Sequence, residues 1–186
     1  STILLMLLGL PMLVIALLIR RGSQGPAIFK QERVGLEGRG FQCWKFRTMY
    51  MDADAQRDAL RAQHGDDGAT FKMAADPRVT PIGRFLRRFS MDELPQLVNV
   101  WRGDMSLVGP RPHPRDDVAR YDDLAVRRLR ARPGMTGLWQ VSGRSDLSWD
   151  ESVRLDLYYV ENWSLSMDFV IMASTVSAVV GGRGAY

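Results

Sequence analysis

From Ser1 to Ile19 the chain carries no charged side chain, and Arg20 and Arg21 follow at once. The stretch Thr2 to Ile19 reaches the lower limit for a membrane helix, which needs roughly 17–25 predominantly apolar residues. It begins without a methionine and already inside apolar sequence, so it reads as truncated at its start. The marks of a signal peptide, a basic flank before the run and a small-residue cleavage site after it, are both missing. Pro11 interrupts the run. Its ring removes one backbone donor and collides with the carbonyl of Leu7, and Gly9 weakens the same turn. Two readings stand. One is a kinked spanning helix. The other is a re-entrant helix-break-helix that enters and leaves by one face, its freed backbone groups satisfied by protein or water. Arg20 and Arg21 mark a cytoplasmic exit.

Past the arginines the pattern changes. Pro26 to Val34 is β-prone, Gly35 to Gly40 supplies turn chemistry, and Phe41 to Thr48 alternates, with Trp44 and Phe46 on one face and Lys45 and Arg47 on the other. That pattern predicts a β-hairpin. Asp52 to Gln63 reads as a polar helix and His64 to Gly68 as a loop without the alternating ligands of a calcium site. Ile82, Phe85, Leu86 and Phe89 have helical spacing, predicting a short basic amphipathic helix over Ile82 to Phe89. A helix is expected over Asp92 to Val100, a stiff extended loop over Gly109 to Pro112, and a charged helix over Asp116 to Arg130. Arg132 to Arg144 reads as loop-rich. Helices are expected again over Trp149 to Glu161 and Met167 to Val180, the last too poor in apolar residues to span a bilayer.

Composition adds little to this outline. The net charge is +4, but the basic residues cluster, at Arg84, Arg87 and Arg88 and at Arg127, Arg128, Arg130 and Arg132. Such clusters suit anionic partners or simply a solvated basic face. No recognised nucleic-acid motif accompanies them. The lone cysteine, Cys43, excludes an intrachain disulfide and agrees with a reducing compartment. With His64 and His113 as the only histidines, a zinc site is not expected. Any metal would be a hard ion on carboxylates.

The segment Phe89 to Leu97 is the richest in chemistry. Ser90 and Glu93 have capping-box spacing, and Phe89 with Leu94 could form the staple. Asp92 as N-cap is the alternative, because it places Pro95 in the tolerated first turn. Either way, two adjacent carboxylates stand at a helix start close to Arg87 and Arg88, an arrangement that also stabilises phosphate. Such a field lowers a carboxylate's pKa and keeps it ionised. A carboxylate there could bind magnesium or attack phosphorus. Arg111, restrained between prolines, suits bidentate phosphate recognition. Arg144 follows Ser142-Gly143, where a ligand could approach closely. Asp156, on a helix with Trp149, Leu155 and Tyr159, reads by itself as a salt-bridge partner.

Several stretches together resemble the bacterial sugar transferases, the monotopic phosphoglycosyl transferases that begin exopolysaccharide, O-antigen or glycoprotein assembly. They are Gln24 to Phe29, Lys45 to Met49, Ser90 to Leu97, Asn99 to Pro112, Arg132 to Gly137 and Trp139 to Arg144, in family order over nearly the whole chain. The Gly-Ala-Tyr ending is most similar to the C-terminal catalytic domain of the larger members, the undecaprenyl-phosphate glucose and galactose phosphotransferases. The resemblance implies an α/β fold, mostly helical with a small hairpin, in which residues 1–21 form a re-entrant membrane helix and 22–186 a catalytic domain on the cytoplasmic face of the bacterial inner membrane. It implies a UDP-sugar and a polyprenyl phosphate as substrates, an aspartyl phosphosugar intermediate, UMP as product and Mg2+ as cofactor. Asp92 would be the nucleophile and Glu93 a magnesium ligand. Arg87, Arg111 and Arg144 would hold phosphates, with Lys45, Arg47 and Asp156 beside them. The family breaks its membrane segment at Ser-Pro; Pro11 matches, while Leu10 stands in place of the serine. Membrane lipid is an expected partner, nucleic acid is not, and a homo-oligomer is left open. The competing reading is a non-catalytic membrane-bound module that docks anionic lipid or a partner protein.

Overall fold

The computed structural model describes residues 1–53, 55–56, 76–143 and 147–180. The architecture is mostly helical with two small sheets, as the α/β expectation has it. The uncharged run forms one helix, α1 (Thr2–Gly22), with Pro11 inside it. α1 runs through Pro11 without interruption. A proline inside a helix costs about 3 kcal/mol, but the run offers no capping group at Gly9 or Leu10, so helical geometry remains the way to satisfy the neighbouring backbone groups. Ile3, Met6, Leu7 and Leu10 are 68–79% exposed, and α1 buries a face only at Ile15 and Ile19. An apolar helix with so little protein contact matches lipid rather than water. Among the described residues it is the one helix long and apolar enough to cross a membrane.

The expected hairpin is present as β1 (Ile28–Val34) and β2 (Gly40–Phe46), antiparallel with Ile28 opposite Phe46 and Val34 opposite Gly40. Helix α2 (Pro81–Arg88) starts with Pro81 in its first turn and with Thr80 as N-cap, accepting from Gly83 N. It lies directly on the chain leaving β2, because Gly83 has no side chain: a Cβ there would stand 2.1 Å from the carbonyl oxygen of Thr48. Ile15 and Ile19 of α1, Phe46 of β2 and Leu86 of α2 form one buried cluster, with Met91 and Leu94 packed against it. The end of the apolar helix therefore supports the turn that bears Asp92 and Glu93.

Three sequence expectations change here. The helix expected from Asp92 is replaced by a 3-10 turn, Met91–Glu93, followed by α3 (Gln96–Arg102). Ser90 takes left-handed geometry at φ 52°, and Pro95, which is costly in a helix interior, becomes the N-cap of α3 without a side-chain cap bond. The charged helix expected over Asp116 to Arg130 divides into α4 (Arg115–Val118), α5 (Asp123–Val126) and a 3-10 turn, Arg127–Arg130. Asp122 restarts the helix by accepting from Ala125 N at 2.7 Å, and Arg128 turns inward. The loop-rich stretch contains β4 (Gly134–Thr136) and α6 (Leu138–Ser142). β4 pairs in parallel with β3 (Ser106–Val108), at a crossing so tight that a Cβ on Gly134 would lie 2.1 Å from Gly109 N.

The last two helices follow the sequence closely, as α7 (Trp149–Glu161), opened by a Ser148–Glu151 capping box, and α8 (Leu165–Val180). The expected helix over Asp52 to Gln63 falls largely outside the described residues, and the loop over His64 to Gly68 lies wholly outside them.

Candidate active site

The turn after α2 presents two neighbouring carboxylates in different settings. Glu93 accepts on one oxygen, Oε1, from Lys45 Nζ at 2.7 Å and from Arg111 Nη2 at 2.8 Å. Burial alone would raise its pKa, but Arg111 and Lys45 outweigh burial and hold the carboxyl well below the usual range. The same contact pushes the Arg111 pKa up. Glu93 is thus a permanent anion with a fixed orientation, and its Oε2 carries no hydrogen bond among the described residues.

Asp92 has neither a hydrogen bond nor an ion pair among the described residues. Burial, and then the charge of Glu93, push its pKa up, while Lys45, Arg87 and Arg111 pull the other way. The sequence expectation of a carboxylate held ionised by a helix N-terminus is corrected for this residue. No helix begins at Asp92, so the amide field that would lower its pKa is missing, and desolvation wins. Higher basicity makes an oxygen nucleophile stronger.

Each cation arrives on a separate element. Lys45 lies one residue before the end of β2, Arg87 one residue before the end of α2, and Arg111 in the stretch after β3. Arg87 donates from Nε to Thr48 Oγ1 at 2.9 Å, which leaves both terminal nitrogens without a bond among the described residues. Burial lowers its pKa, with Asp92 opposing. Three cations therefore surround two anions, and the surplus positive charge suits a phosphate-bearing ligand.

A profile of the family described as Bacterial sugar transferase matches residues 1–182. The chain belongs to that family. It is 48% identical over 169 residues to the undecaprenyl-phosphate galactose phosphotransferase of Salmonella typhimurium, an overlap of 87% of this chain and 35% of that protein. It is 44% identical over 190 residues to the exopolysaccharide production protein ExoY of Rhizobium meliloti, covering 100% of this chain and 84% of ExoY. The UDP-glucose:undecaprenyl-phosphate glucose-1-phosphate transferase of Caulobacter vibrioides is 46% identical over 184 residues, 94% of this chain and 64% of that one. The chain thus spans about a third of the Salmonella protein's length (35%).

In this sugar transferase the structure gathers Lys45, Arg87, Asp92, Glu93 and Arg111 but sends two of the expected substrate-site residues, Arg47 and Asp156, elsewhere. Arg47 is 6% exposed and is spent on backbone: it donates to the carbonyls of Pro26 at 2.8 Å, Gln24 at 2.5 Å, Ser23 at 3.0 Å and Gly25 at 3.4 Å. β2 ends at Phe46, so the strand alternation that paired Arg47 with Lys45 no longer applies. Asp156 is fully buried in an ion pair with Arg128, away from the carboxylate pair. Arg144 lies outside the described residues.

Two positioning residues escaped the sequence reading. Thr48 orients Arg87. Asn99, fully buried, accepts from Trp44 N at 3.0 Å and donates to Gln42 O at 2.7 Å, fixing α3 to β2 and hence Lys45 to the turn. A buried-side asparagine on a short helix has no sequence signal strong enough to reveal this.

Proposed function

We propose that this sugar transferase moves a sugar 1-phosphate from a UDP-sugar to a polyprenyl phosphate, as the first membrane step of exopolysaccharide, O-antigen or related glycoconjugate synthesis. The observation that carries the proposal is the contrast within one turn: Asp92 has its pKa raised and no partner among the described residues, while Glu93 is pinned by Lys45 and Arg111. The names of the relatives support the substrate classes.

The reaction runs in two displacements. A carboxylate oxygen of Asp92 bonds to the β-phosphorus of the UDP-sugar; the bond from that phosphorus to the bridging oxygen breaks, and UMP leaves with the electron pair. An oxygen of the polyprenyl phosphate then attacks the same phosphorus, and the bond to Asp92 breaks, restoring the carboxylate and giving a polyprenyl diphosphate sugar. Arg87 and Arg111 orient the diphosphate and offset its charge. Lys45 keeps Glu93 in place.

The residues present fit Mg2+. Among the described residues no group of three or more His, Cys, Asp or Glu side chains forms a cage, but Glu93 Oε2 and the Asp92 carboxylate are free, and this ion is commonly held by one or two carboxylates plus substrate phosphates. Bound at Glu93, it would supply charge neutralisation on the diphosphate.

We further propose that the apolar segment enters and leaves on the cytoplasmic side of the inner membrane, with Pro11 as the bending point. Support comes from the lost backbone bond at Pro11 and from the contact between the Arg20–Arg21 end of α1 and the catalytic turn.

The deciding experiment uses the full-length protein in lipid nanodiscs and follows UMP release from a panel of UDP-sugars with and without magnesium. Release dependent on polyprenyl phosphate, together with protein labelling from β-32P UDP-sugar when that acceptor is omitted, is expected. Asp92→Asn should abolish both. A non-catalytic docking module would release no UMP.

A further inference from the structure

The strip that carries Arg111 is held carbonyl by carbonyl. Gly134 N donates to Pro110 O at 2.9 Å, and Val34 N donates to His113 O at 2.9 Å. The two carbonyls between them are taken by arginine side chains: Arg128 Nη2 donates to Arg111 O at 3.5 Å, and Arg33 Nη1 donates to Pro112 O at 3.2 Å. The prolines on either side of Arg111 contribute no N–H of their own, so these donors are the strip's main-chain fastening.

Arg128 is an unusual fastener. It is 3% exposed. Its charge is paired with Asp156, its Nη1 donates to Tyr121 Oη at 3.0 Å, and its guanidinium lies 5.6 Å and 5.5 Å from the ring centres of Tyr121 and Trp149. The cavity left between Arg111, His113, Tyr121 and Arg128 measures about 10 Å³, room for one water at most. The guanidinium therefore has nowhere to swing. A buried ion pair is often no more stabilising than apolar residues of the same volume, so stability alone gives little reason to place one here. Arg128 and Asp156 form no bond with Asp92 or Glu93, and their link to the site passes through the backbone of Arg111.

We infer that Arg128, anchored by Asp156, and Arg33 are positioning residues that fix the carbonyls of Arg111 and Pro112 and so aim the Arg111 guanidinium at Glu93 and the incoming diphosphate. This rests on the phosphate-binding role proposed for Arg111. Arginine is required at position 128 because one planar fork must serve Asp156, Tyr121 and the Arg111 carbonyl together, and a lysine ammonium cannot span all three. A preorganised donor needs no rearrangement as charge shifts in the reaction.

The test is a set of coupled variants of the full-length protein in nanodiscs. Arg128→Lys and Arg33→Lys are each made alone and in an Arg111→Ala background, and kcat/KM for the UDP-sugar is measured. Residues acting through a common partner lose additivity. Arg128→Lys alone is expected to lower kcat/KM by about tenfold or more, yet by less than about twofold once Arg111 is gone. The same fold-loss in both backgrounds would show a merely structural role and overturn the inference. Arg33, closer to the surface, gives the same comparison if Arg128→Lys folds poorly. Hydrogen exchange supplies a readout that needs no turnover. In Arg128→Lys, amides in both 106–114 and 90–95 should exchange faster; unchanged exchange at 90–95 would overturn the inference even if activity fell. Absence of UMP release by the wild-type protein would instead remove the proposed reaction and leave the exchange result to decide.

Discussion

Lys45 donates to Glu93 Oε1 across 2.7 Å, joining the end of the hairpin to a turn 48 residues later. Asp92, next to Glu93, receives no such bond and feels Lys45 only through space, as one of the charges that lower its pKa against burial and Glu93. The sign of the pH dependence follows. In the proposed reaction Asp92 attacks as the carboxylate, so kcat/KM should rise with pH as it loses its proton, on an acid limb displaced upward from the ordinary aspartate value of 3.8. Lys45→Met removes a lowering influence and should carry that limb to still higher pH. Profiles of kcat/KM between about pH 4 and 8 read this directly. An acid limb that stays in place in the variant would disprove the coupling.

Glu93→Gln keeps the shape of the side chain but surrenders the charge that both Lys45 and Arg111 hold. Activity is expected to fall, and the magnesium concentration giving half-maximal rate to rise, because an amide oxygen is a poorer ligand for a hard ion. A titration with unaltered magnesium dependence would assign Glu93 to holding Arg111 alone.

Arg47 makes the opposite prediction from a phosphate ligand. Its four carbonyl contacts stitch the connector between α1 and β1 to the chain leaving β2. Arg47→Met should cost about 2–4 kcal/mol of stability, since hydrogen bonds to a charged group are strong and the carbonyls lose their donor. Thermal melts should drop by several degrees, while KM for the UDP-sugar per folded molecule stays near wild type. A large rise in KM without loss of stability would return Arg47 to the substrate site.

The sequence was legible where a local signal and the tertiary structure agree. The glycine-rich turn flanked by alternating residues became the hairpin, and α2 and α7 appear within a residue or two of their expected limits. Motif resemblance located Asp92, Glu93, Lys45 and Arg111, and the basic cluster beside the carboxylates pointed to Arg87; the fold brings the five together from four separate elements. Failures occurred where tertiary contacts overrode local pattern. The capping-box spacing of Ser90 and Glu93 does not form a cap, because Glu93 is drawn to Lys45 and Arg111 instead. The charged stretch from Asp116 to Arg130 hid a buried arginine, because nothing in its composition separates Arg128 from Arg127 or Arg130. Asp156 was read by itself as a salt-bridge partner, and that reading holds; family analogy moved it toward substrate, and burial moved it back.

The membrane topology yields the most decisive prediction. α1 is continuous through Pro11, and a helix of its 21 residues is about 32 Å long at 1.5 Å per residue, enough to cross a hydrocarbon core of about 30 Å. Length alone therefore permits a span. On the proposed reaction the charged domain after Arg20 faces the cytoplasm, where UDP-sugars are found, and the buried face at Ile15 and Ile19 is packed beneath the catalytic turn. A spanning α1 would put Ser1 outside; a re-entrant one bends at Pro11 and returns Ser1 to the cytoplasm. The two are separated by cysteine labelling in intact cells, using the full-length protein with Cys43→Ser and a single cysteine introduced at Ser1. Protection from a membrane-impermeant reagent, with labelling once the cells are opened, is the expected result. Labelling from outside would rule out the re-entrant arrangement. Pro11→Ala restores the missing backbone donor, and a proline in a helix interior costs about 3 kcal/mol. The variant should therefore favour the straight helix and expose Ser1 to the outside reagent in a measurable fraction of molecules.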